Sequence, residues 1–386
     1  MSGLKVSSRA RISPFFVMEM MRAAAGREAT GGEVVHMEVG QPSTPAPVGA
    51  RAAAKAAIDH DVLGYTSAVG IEPLRGRLAQ HYADWYGHHV ESANIVVTQG
   101  ASGGFTLAFL ACFDAGDRVA VTAPGYPCYR NTLEALDVEV TEISVTADTG
   151  YRLTAEMLAA AGELDGLVVA SPANPTGTML RPQQLSDIAQ WCHSASVRLI
   201  SDEIYHGISY GTPAATAAAS SPSAVVVNSF SKYFSMTGWR LGWLLLPPEL
   251  VAPVERLAQN ATIAPATVSQ HAALGAFDSL DELDANVARY VENRRILLKG
   301  LAAAGIDRFA PPDGAFYIYA NVDHLTDDSA ELAAAWLADL GIATTPGIDF
   351  DPTDGHRYIR FSFAGSNDDM ERTVERLTAW QHRRQA

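Results

Sequence analysis

Residues 167–177 read LVVASPANPTG, residues 198–207 read RLISDEIYHG, and residues 224–232 read AVVVNSFSK. In each stretch a short apolar run is followed at once by polar residues. Such runs, separated by segments with helical periodicity, are typical of strands buried in a parallel sheet that is covered by helices on both faces. The three stretches therefore predict an α/β fold in which polar residues gather at one edge of the sheet.

The alternation of strand and helix patterns extends to both sides of these stretches. The predicted strands are Ile95–Val97, Arg118–Val121, Val138–Ile143, Leu167–Ala170, Arg198–Ile200, Ala224–Val227 and Leu241–Leu246. Helical patterns lie between the earlier strands, at Phe105–Phe113, Tyr129–Leu136, Ala155–Ala161 and Gln183–Cys192. We predict a large domain of residues 35–280 with a mostly parallel seven-stranded sheet. After Pro248 long helical patterns take over, and they predict a smaller α+β domain of residues 281–386, joined by an N-terminal arm of residues 1–34.

The composition excludes several classes of function. The chain of 386 residues carries 28 Lys and Arg against 43 Asp and Glu, which gives a formal net charge of −15. An acidic surface repels nucleic-acid phosphates and anionic lipid heads, so we predict neither nucleic-acid binding nor a membrane anchor. Uncharged apolar runs of about 18 residues, as a transmembrane helix needs, do not occur. The 3 cysteines form no CxxC pair, which indicates a reducing, cytoplasmic location, and no metal site is predicted.

Polar residues follow four of the predicted strands at the point where each strand ends. They are Thr98-Gln-Gly-Ala-Ser-Gly-Gly104, Ser171–Gly177, Ser201–Tyr205 and Asn228–Lys232. In an open α/β sheet, ligands bind beyond the carboxyl ends of the strands. The first of these loops leads into a helical pattern, and the N-terminus of a helix favours an anion such as phosphate. The pattern therefore predicts a single ligand-binding crevice.

The motifs SPANPTG (171–177), SDEIYHG (201–207) and SFSKYFSMTGWRLGW (229–243) resemble, in this order and separation, those of the class I and II aminotransferases. The likeness runs from about Arg9 to Trp380. These enzymes have fold type I and use pyridoxal 5′-phosphate, so the resemblance implies that fold and that cofactor here. Such chemistry needs an amine that forms a Schiff base with the cofactor aldehyde and then moves a proton.

The resemblance implies specific roles around the cofactor ring. Lys232 would form the Schiff base and shuttle the proton, and Asp202 would keep the pyridine nitrogen protonated. Tyr205 and Asn174 would bind the phenolic oxygen. An Asp in this position could also serve only as a helix N-cap, and His206 is interpreted as a structural histidine.

The phosphate of the cofactor needs donors and positive charge, and an aromatic ring would stack on its pyridine. Arginine suits phosphate because its planar fork binds two oxygens. The residues assigned to these contacts by the resemblance are Ala101, Ser102, Gly103, Ser229, Arg240 and, for the stacking, Tyr126.

The substrate would be held by residues far apart in the sequence. By resemblance, Arg360 in Tyr358–Ser362 binds the α-carboxylate, with Asn174 and the backbone of Gly40. Phe16, or its neighbour Phe15, would line the pocket for the substrate side chain. The family usually has Gly where this chain has Asp351, which puts the geometry of that loop in doubt but not Arg360.

The segment Gly64–Arg75 resembles one whose tyrosine reaches the phosphate in the neighbouring subunit. Tyr65 would then complete the site of a partner, and the active unit would be a homodimer. The alternative is that a tyrosine in a glycine-flanked turn is merely exposed.

The implied reaction is transfer of the amino group of an L-amino acid to a 2-oxo acid. A β-lyase that cleaves a carbon–sulfur bond, or a racemase, would use the same residues, and a noncatalytic ligand-sensing domain would share the fold; the presence of Lys232 argues against the last. An aspartate aminotransferase needs a further cation, and Ser102 stands where some such enzymes have lysine. We therefore expect a neutral, aliphatic donor such as valine or alanine, with an aspartate aminotransferase as the alternative.

Overall fold

The computed structural model describes residues 4–385 and centres on a seven-stranded sheet. The strands are β1 (Val35–His36), β2 (Ile95–Thr98), β3 (Arg118–Ala123), β4 (Glu139–Ser144), β5 (Gly166–Ala170), β6 (Arg198–Asp202), β7 (Val225–Ser229), β8 (Gly242–Leu245), β9 (Tyr317–Asn321), β10 (Ile342–Ala343), β11 (Thr345–Pro346) and β12 (Tyr358–Ser362). The large sheet has the order β2-β8-β7-β6-β5-β3-β4, in which β8 runs antiparallel to both neighbours and the other pairs are parallel. All seven strands predicted from the sequence are confirmed, and so is the mostly parallel sheet.

The sheet is buried on both faces. In β7, Val226 packs into one hydrophobic cluster, whereas Val225 and Val227 pack into the cluster on the opposite face. Because successive side chains in a strand point to opposite faces, a strand covered on both sides must be apolar at every position. This requirement explains the apolar runs in β5, β6 and β7, and it leaves polar residues such as Asp202 and Ser229 at the strand ends or beyond them.

The helices cover the two faces and form most of the second half of the chain. They are α1 (Phe16–Ala29), α2 (Val48–His60), α3 (Glu72–Tyr86), α4 (Gly100–Cys112), α5 (Pro127–Ala135), α6 (Ala155–Ala160), α7 (Pro182–Ser194), α8 (Pro248–Ala261), α9 (Thr267–Ala276), α10 (Leu280–Ala303), α11 (Ser329–Leu340) and α12 (Asn367–Gln385). Helix α4 begins at Gly100, before the start predicted at Phe105. Its packing on β7 and β8 outweighs the low helix propensity of its glycines. No helix in residues 4–385 is long and apolar enough to cross a membrane.

The smaller domain is built on a three-stranded antiparallel sheet of order β11-β12-β9, with α10, α11 and α12 packed around it. Strand β1 pairs in parallel with β10, so the chain near Val35 lies beside Ile342. Helix α1 packs against β10, β11 and α11. The N-terminal segment is thus attached to this domain, while the divisions at residues 34 and 280 stay a prediction.

Candidate active site

A cavity of about 240 Å³ lies at the carboxyl ends of β5, β6 and β7, where the smaller domain meets the large sheet. Residues from both parts of the chain line it. Those predicted from the sequence that the structure brings together here are Gly40, Ala101, Ser102, Tyr126, Asn174, Asp202, Tyr205, Ser229, Lys232, Arg240 and Arg360. The crevice expected from the ends of the strands is therefore present.

Lys232 lies three residues beyond the end of β7, and its ammonium group points across the cavity. Its Nζ donates a hydrogen bond of 2.5 Å to the carbonyl oxygen of Gly40. Burial and then the nearby Arg360 cation lower the pKa of the Lys232 amine to about 8, although Asp202 acts in the opposite direction. A lysine with such a pKa is partly neutral near physiological pH, so it is a competent nucleophile.

Asp202 ends β6, and its carboxyl group is buried. The Tyr129 hydroxyl donates to Oδ2 of Asp202, and the backbone N–H of Ile204 donates to Oδ1 over 3.1 Å. Burial raises the pKa of Asp202 to about 6 against the effect of these donors. The helix N-cap role considered for this Asp is not observed, because no helix among residues 4–385 follows β6 directly, and the carboxyl group lines the cavity. Tyr129 was not predicted as a site residue. The signal that could have revealed it is its spacing of three residues from Tyr126, because this spacing brings two side chains to one face of a helix.

The N-terminus of α4 and the Arg240 guanidinium face each other across one end of the cavity. Gly100 has a φ of +71°, and a Cβ there would lie 2.6 Å from Nη2 of Arg240. Arg240 itself has a φ of +51°, and its Nη1 donates to the carbonyl oxygen of Thr237 over 3.0 Å. Unpaired backbone N–H groups of the first turn, next to Ala101 and Ser102, and a cation together form an anion-binding site.

Ser229 ends β7 at the same end of the cavity. Its Oγ lies 2.9 Å from Oγ of Ser231 and accepts the backbone N–H of Ser231 over 3.0 Å. The hydroxyl is buried, and it is held at the edge of the space between α4 and Arg240.

Arg360 is buried at the middle of β12 and reaches into the cavity from the smaller domain. Nη1 donates to Oδ1 of Asn174 over 2.8 Å, while Nη2 donates to the Glu38 carbonyl oxygen and, over 3.1 Å, to Oγ1 of Thr345. Its Nε–H has no hydrogen-bond partner within residues 4–385. A buried cation with an unused donor suits a carboxylate ligand, because an unpaired buried polar group is costly.

Tyr205 and Tyr317 form a pair of hydroxyls in the centre of the cavity, with 2.6 Å between the two oxygens. Tyr317 belongs to β9 of the smaller domain and was not predicted as a site residue. Only glycine is possible at residue 40 beside it, since a Cβ there would lie 1.7 Å from the Tyr317 hydroxyl oxygen. The strand pattern of residues 317–321 gave no sign that this hydroxyl faces a ligand site.

Helix α1 forms an apolar wall of the cavity through Val17, Met18 and Met21. The expectation that Phe16 lines this pocket is corrected by the structure, which places Phe16 in a neighbouring cavity with Asp349. Asp349 accepts the backbone N–H groups of Phe16 and Val17 over 3.1 and 3.3 Å, and this contact sets the rotation of the helix. Phe15 stacks on Tyr126, with ring centroids 6.0 Å apart.

Three residues singled out in the sequence, Tyr65, Gly103 and His206, do not line this cavity within the described residues. Tyr65 is 85% exposed and lies outside the cavity of its own chain. Gly103 lies in the first turn of α4 but does not line the cavity within the described residues. His206 is buried, with Nδ1 2.7 Å from the Tyr86 hydroxyl and Nε2 2.9 Å from the Ser171 carbonyl oxygen, and burial lowers its pKa to about 4. Its contacts fit the structural interpretation.

Comparisons with known proteins agree over nearly the whole chain. A family model described as aminotransferase class I and II matches residues 32–377. Valine–pyruvate aminotransferase from Mycobacterium tuberculosis is 52% identical over 384 residues, which cover 97% of this chain and 98% of the relative. (5-Formylfuran-3-yl)methyl phosphate transaminase from Methanocaldococcus jannaschii is 30% identical, with 94% of this chain and 95% of the relative covered.

Solved structures show the same likeness. The crystal structure of an aminotransferase from Mycobacterium tuberculosis superposes with a TM-score of 0.97 at 51% identity, over 99% of this chain and 100% of that one. Aspartate aminotransferase from Thermus thermophilus with maleate gives a TM-score of 0.92 at 28% identity, over 98% of this chain and 100% of that one. Both sequence and structure therefore match over the full length of the relatives.

Proposed function

Because the chain belongs to the class I and II aminotransferases, we propose that it uses pyridoxal 5′-phosphate to transfer the amino group of a neutral, aliphatic L-amino acid to a 2-oxo acid. Valine and alanine are the proposed donors. Support for them comes from the relative named valine–pyruvate aminotransferase, 52% identical to this chain, whose name also makes pyruvate the first acceptor to test.

The residues of the cavity fit the proposed cofactor. The anion site between α4 and Arg240 suits a phosphate, and the absence of a Cβ at Gly100 lets the Arg240 guanidinium approach the start of that helix. Asp202 offers a buried carboxyl group to a ring nitrogen, and Lys232 offers an amine with a lowered pKa to an aldehyde. When bound, the cofactor supplies an aldehyde for covalent attachment and a ring that accepts electrons.

Each residue then has a defined task. Lys232 would hold the cofactor covalently, and its amine would move the proton at the substrate Cα. Asp202, held by Tyr129, keeps the ring nitrogen protonated. Tyr205 and Asn174 bind the phenolic oxygen, and Arg360 binds the substrate carboxylate through its free Nε–H. Tyr126, which lines the cavity, would stack on the ring of the cofactor.

One observation carries the proposed donor class. Within residues 4–385, three cationic side chains line the cavity, namely Lys232, Arg240 and Arg360. The first is already assigned to the cofactor aldehyde, the second to its phosphate and the third to the substrate α-carboxylate. A second substrate carboxylate would be buried without a cation, at a cost of about 3–5 kcal/mol. The side chain of the substrate would instead meet the apolar wall of α1.

The active unit is proposed to be a homodimer in which Tyr65 enters the site of the partner. In support, Tyr65 is exposed in the single chain together with Val62, which is 98% exposed, and Ile263, which is 51% exposed. The hydrogen bond from Thr267 Oγ1 to the Gly64 carbonyl oxygen brings the two exposed segments together, and exposed apolar residues that lie together are typical of an interface. The unpaired state of Cys112, Cys128 and Cys192 supports a reducing, cytoplasmic location.

The proposal is tested by mixing the purified holoenzyme with single amino acids and following the conversion of the cofactor by its absorption. Valine and alanine should convert it with the highest kcat/KM, and aspartate should be at least about tenfold slower. Aspartate faster than valine by about tenfold would contradict the donor class. Release of ammonia and a 2-oxo acid from cysteine without an added acceptor would instead reveal a β-lyase.

A further inference from the structure

Tyr317 is buried in β9, and its hydroxyl belongs to the cavity although no task above uses it. Its oxygen lies 2.6 Å from that of Tyr205, and Tyr205 is its one hydrogen-bond partner within residues 4–385. The Arg360 guanidinium lies over the Tyr317 ring, 4.5 Å from its centroid. The hydroxyl is thus held between the substrate-binding cation and the tyrosine proposed to contact the cofactor.

Two hydroxyl oxygens 2.6 Å apart must share a proton, because the contact would otherwise be repulsive. Each tyrosine has a single hydroxyl proton to donate. If Tyr205 donates its proton to the phenolic oxygen of the cofactor, the proton in the tyrosine pair must come from Tyr317. The direction of this hydrogen bond follows from the count of protons.

We propose that Tyr317 is a positioning residue that acts through Tyr205: by donating to the Tyr205 oxygen, it orients that hydroxyl and makes it a stronger donor to the cofactor. This inference rests on the proposed contact of Tyr205 with the cofactor. Hydrogen bonds in a chain polarise one another, so a donor to Tyr205 strengthens the donation by Tyr205. The Arg360 cation above the ring favours electron withdrawal from the Tyr317 hydroxyl and so acts in the same direction.

The surroundings of Tyr317 hold its hydroxyl in place. A Cβ at residue 40 would lie 1.7 Å from that oxygen, so the Gly40 backbone contacts the hydroxyl directly. The carbonyl oxygen of the same Gly40 accepts the hydrogen bond from Lys232. The rings of Tyr205 and Phe316 pack on the Tyr317 ring edge-to-face, with centroids 5.6 and 5.2 Å away. The phenol therefore has little freedom to turn to another acceptor.

The test is a pH titration of the absorption of the Lys232-bound cofactor in the holoenzyme. A hydrogen bond on the phenolic oxygen draws negative charge away from the nitrogen that joins Lys232 to the cofactor, and this lowers the pKa of that nitrogen. Tyr317→Phe should therefore raise the pKa by up to about one unit, equivalent to about 1.4 kcal/mol. A fluorinated tyrosine at position 317, whose hydroxyl is more acidic, should lower it.

Tyr319→Phe is the matched control. It removes a phenol from the same strand, but this hydroxyl is buried without a hydrogen-bond partner in residues 4–385 and lies outside the cavity. The absorption titration of the bound cofactor in the Tyr319→Phe variant should coincide with that in the unmodified enzyme. Thermal unfolding of both variants checks that the fold is retained, since each substitution keeps the aromatic ring.

A double-mutant cycle separates this inference from the proposed function. Tyr205→Phe should raise the pKa of the bound cofactor, and Tyr317→Phe should then add nothing, because its acceptor is gone. An equal shift in both backgrounds would overturn the action through Tyr205, as would a Tyr317→Phe variant with an unchanged titration and only a raised KM. A Tyr205→Phe variant that leaves the titration unchanged would overturn the proposed contact itself.

Discussion

Arg360 donates a hydrogen bond of 2.8 Å from Nη1 to Oδ1 of Asn174, a residue 186 positions away in the sequence. Asn174 lies in the loop after β5 of the large sheet, whereas Arg360 lies in β12 of the smaller domain. The bond therefore connects the two parts of the chain inside the cavity. It also holds the guanidinium in one orientation before a substrate arrives, which reduces the cost of binding a carboxylate.

Arg360→Lys should lower kcat/KM for every amino acid, mainly by raising KM. Lysine keeps the positive charge but loses the planar fork and the hydrogen bond to Asn174. Charge-assisted hydrogen bonds of this kind contribute about 1.5–3 kcal/mol, which corresponds to about 10- to 100-fold in kcat/KM. Steady-state kinetics with valine provides the measurement. Arg357→Lys, at an exposed position directly before β12 and paired with Asp323, is the matched control and should leave KM unchanged.

Lys232→Ala should abolish turnover by several orders of magnitude, because the covalent attachment and the proton carrier are both lost. The variant should still bind some cofactor through Asp202, Ser229 and Arg240. Borohydride reduction followed by peptide mapping should label Lys232 in the unmodified enzyme. Lys55→Ala, in the exposed face of α2, serves as the control and should retain activity and label. A protein that never takes up the cofactor would contradict the whole scheme.

Attachment of pyridoxal 5′-phosphate to the cofactor-free protein should become faster as the pH rises through about 8. The pKa of Lys232 is lowered to about 8, first by burial and next by Arg360, and only the neutral amine attacks an aldehyde. Stopped-flow absorption between about pH 6.5 and 9.5 measures the rate. A midpoint near the ordinary lysine pKa would show that the amine does not experience this environment.

Asp202→Asn should retain the fold and lose activity by about 100-fold or more, equivalent to about 2.7 kcal/mol of activation free energy. The amide cannot keep the ring nitrogen of the cofactor protonated, so electrons from the substrate Cα–H bond are accepted less readily. Single-turnover kinetics with deuterated valine isolates the proton step. Asp202→Glu should recover little, because an added methylene displaces the carboxylate within a packed site. Near-normal activity of Asp202→Asn would exclude the assigned role.

His36 should stabilise the fold at neutral pH and lose that effect in alkaline solution. Its hydrogen bond to Glu38 raises the pKa of His36 to about 9, with burial opposing and Glu28 assisting. A raised pKa means that the protonated form is favoured in the folded state. The stabilisation is therefore complete below about pH 6.5 and disappears as the pH rises through about 9.

Urea unfolding of His36→Gln provides the measurement. The midpoint should fall relative to the unmodified protein at about pH 6 and coincide with it at about pH 10. His193→Gln, at an exposed position near the end of α7, is the matched control for the effect of replacing a histidine by glutamine. A constant difference at all pH values for His36→Gln would show that packing rather than charge is responsible.

The large sheet could be predicted from the sequence because burial on both faces demands apolar residues at every strand position. Val225 and Val226 belong to opposite faces, yet both had to be apolar. The residues at the strand ends could be predicted for the same reason, since Asp202 and Lys232 interrupt a pattern that packing alone would continue.

The residues that the sequence did not reveal depend on contacts between distant segments. Phe16 was expected in the pocket, but the rotation of α1 depends on Asp349, which is 333 residues away. Met18 and Met21 have no local signature that separates a cavity wall from ordinary core. Tyr317 is one of two aromatic residues in β9, and its position in the site follows from the pairing of β9 with β12.

The hydrogen bonds from the start of α1 to Asp349, together with the pairing of β1 and β10, have a mechanical consequence. They attach the apolar wall to the same body that carries Arg360. Val17, Met18 and Met21 therefore keep a fixed position relative to Arg360. An amino acid whose carboxylate binds Arg360 would meet the apolar wall at a fixed distance, so one rigid unit would both anchor the substrate and select its side chain.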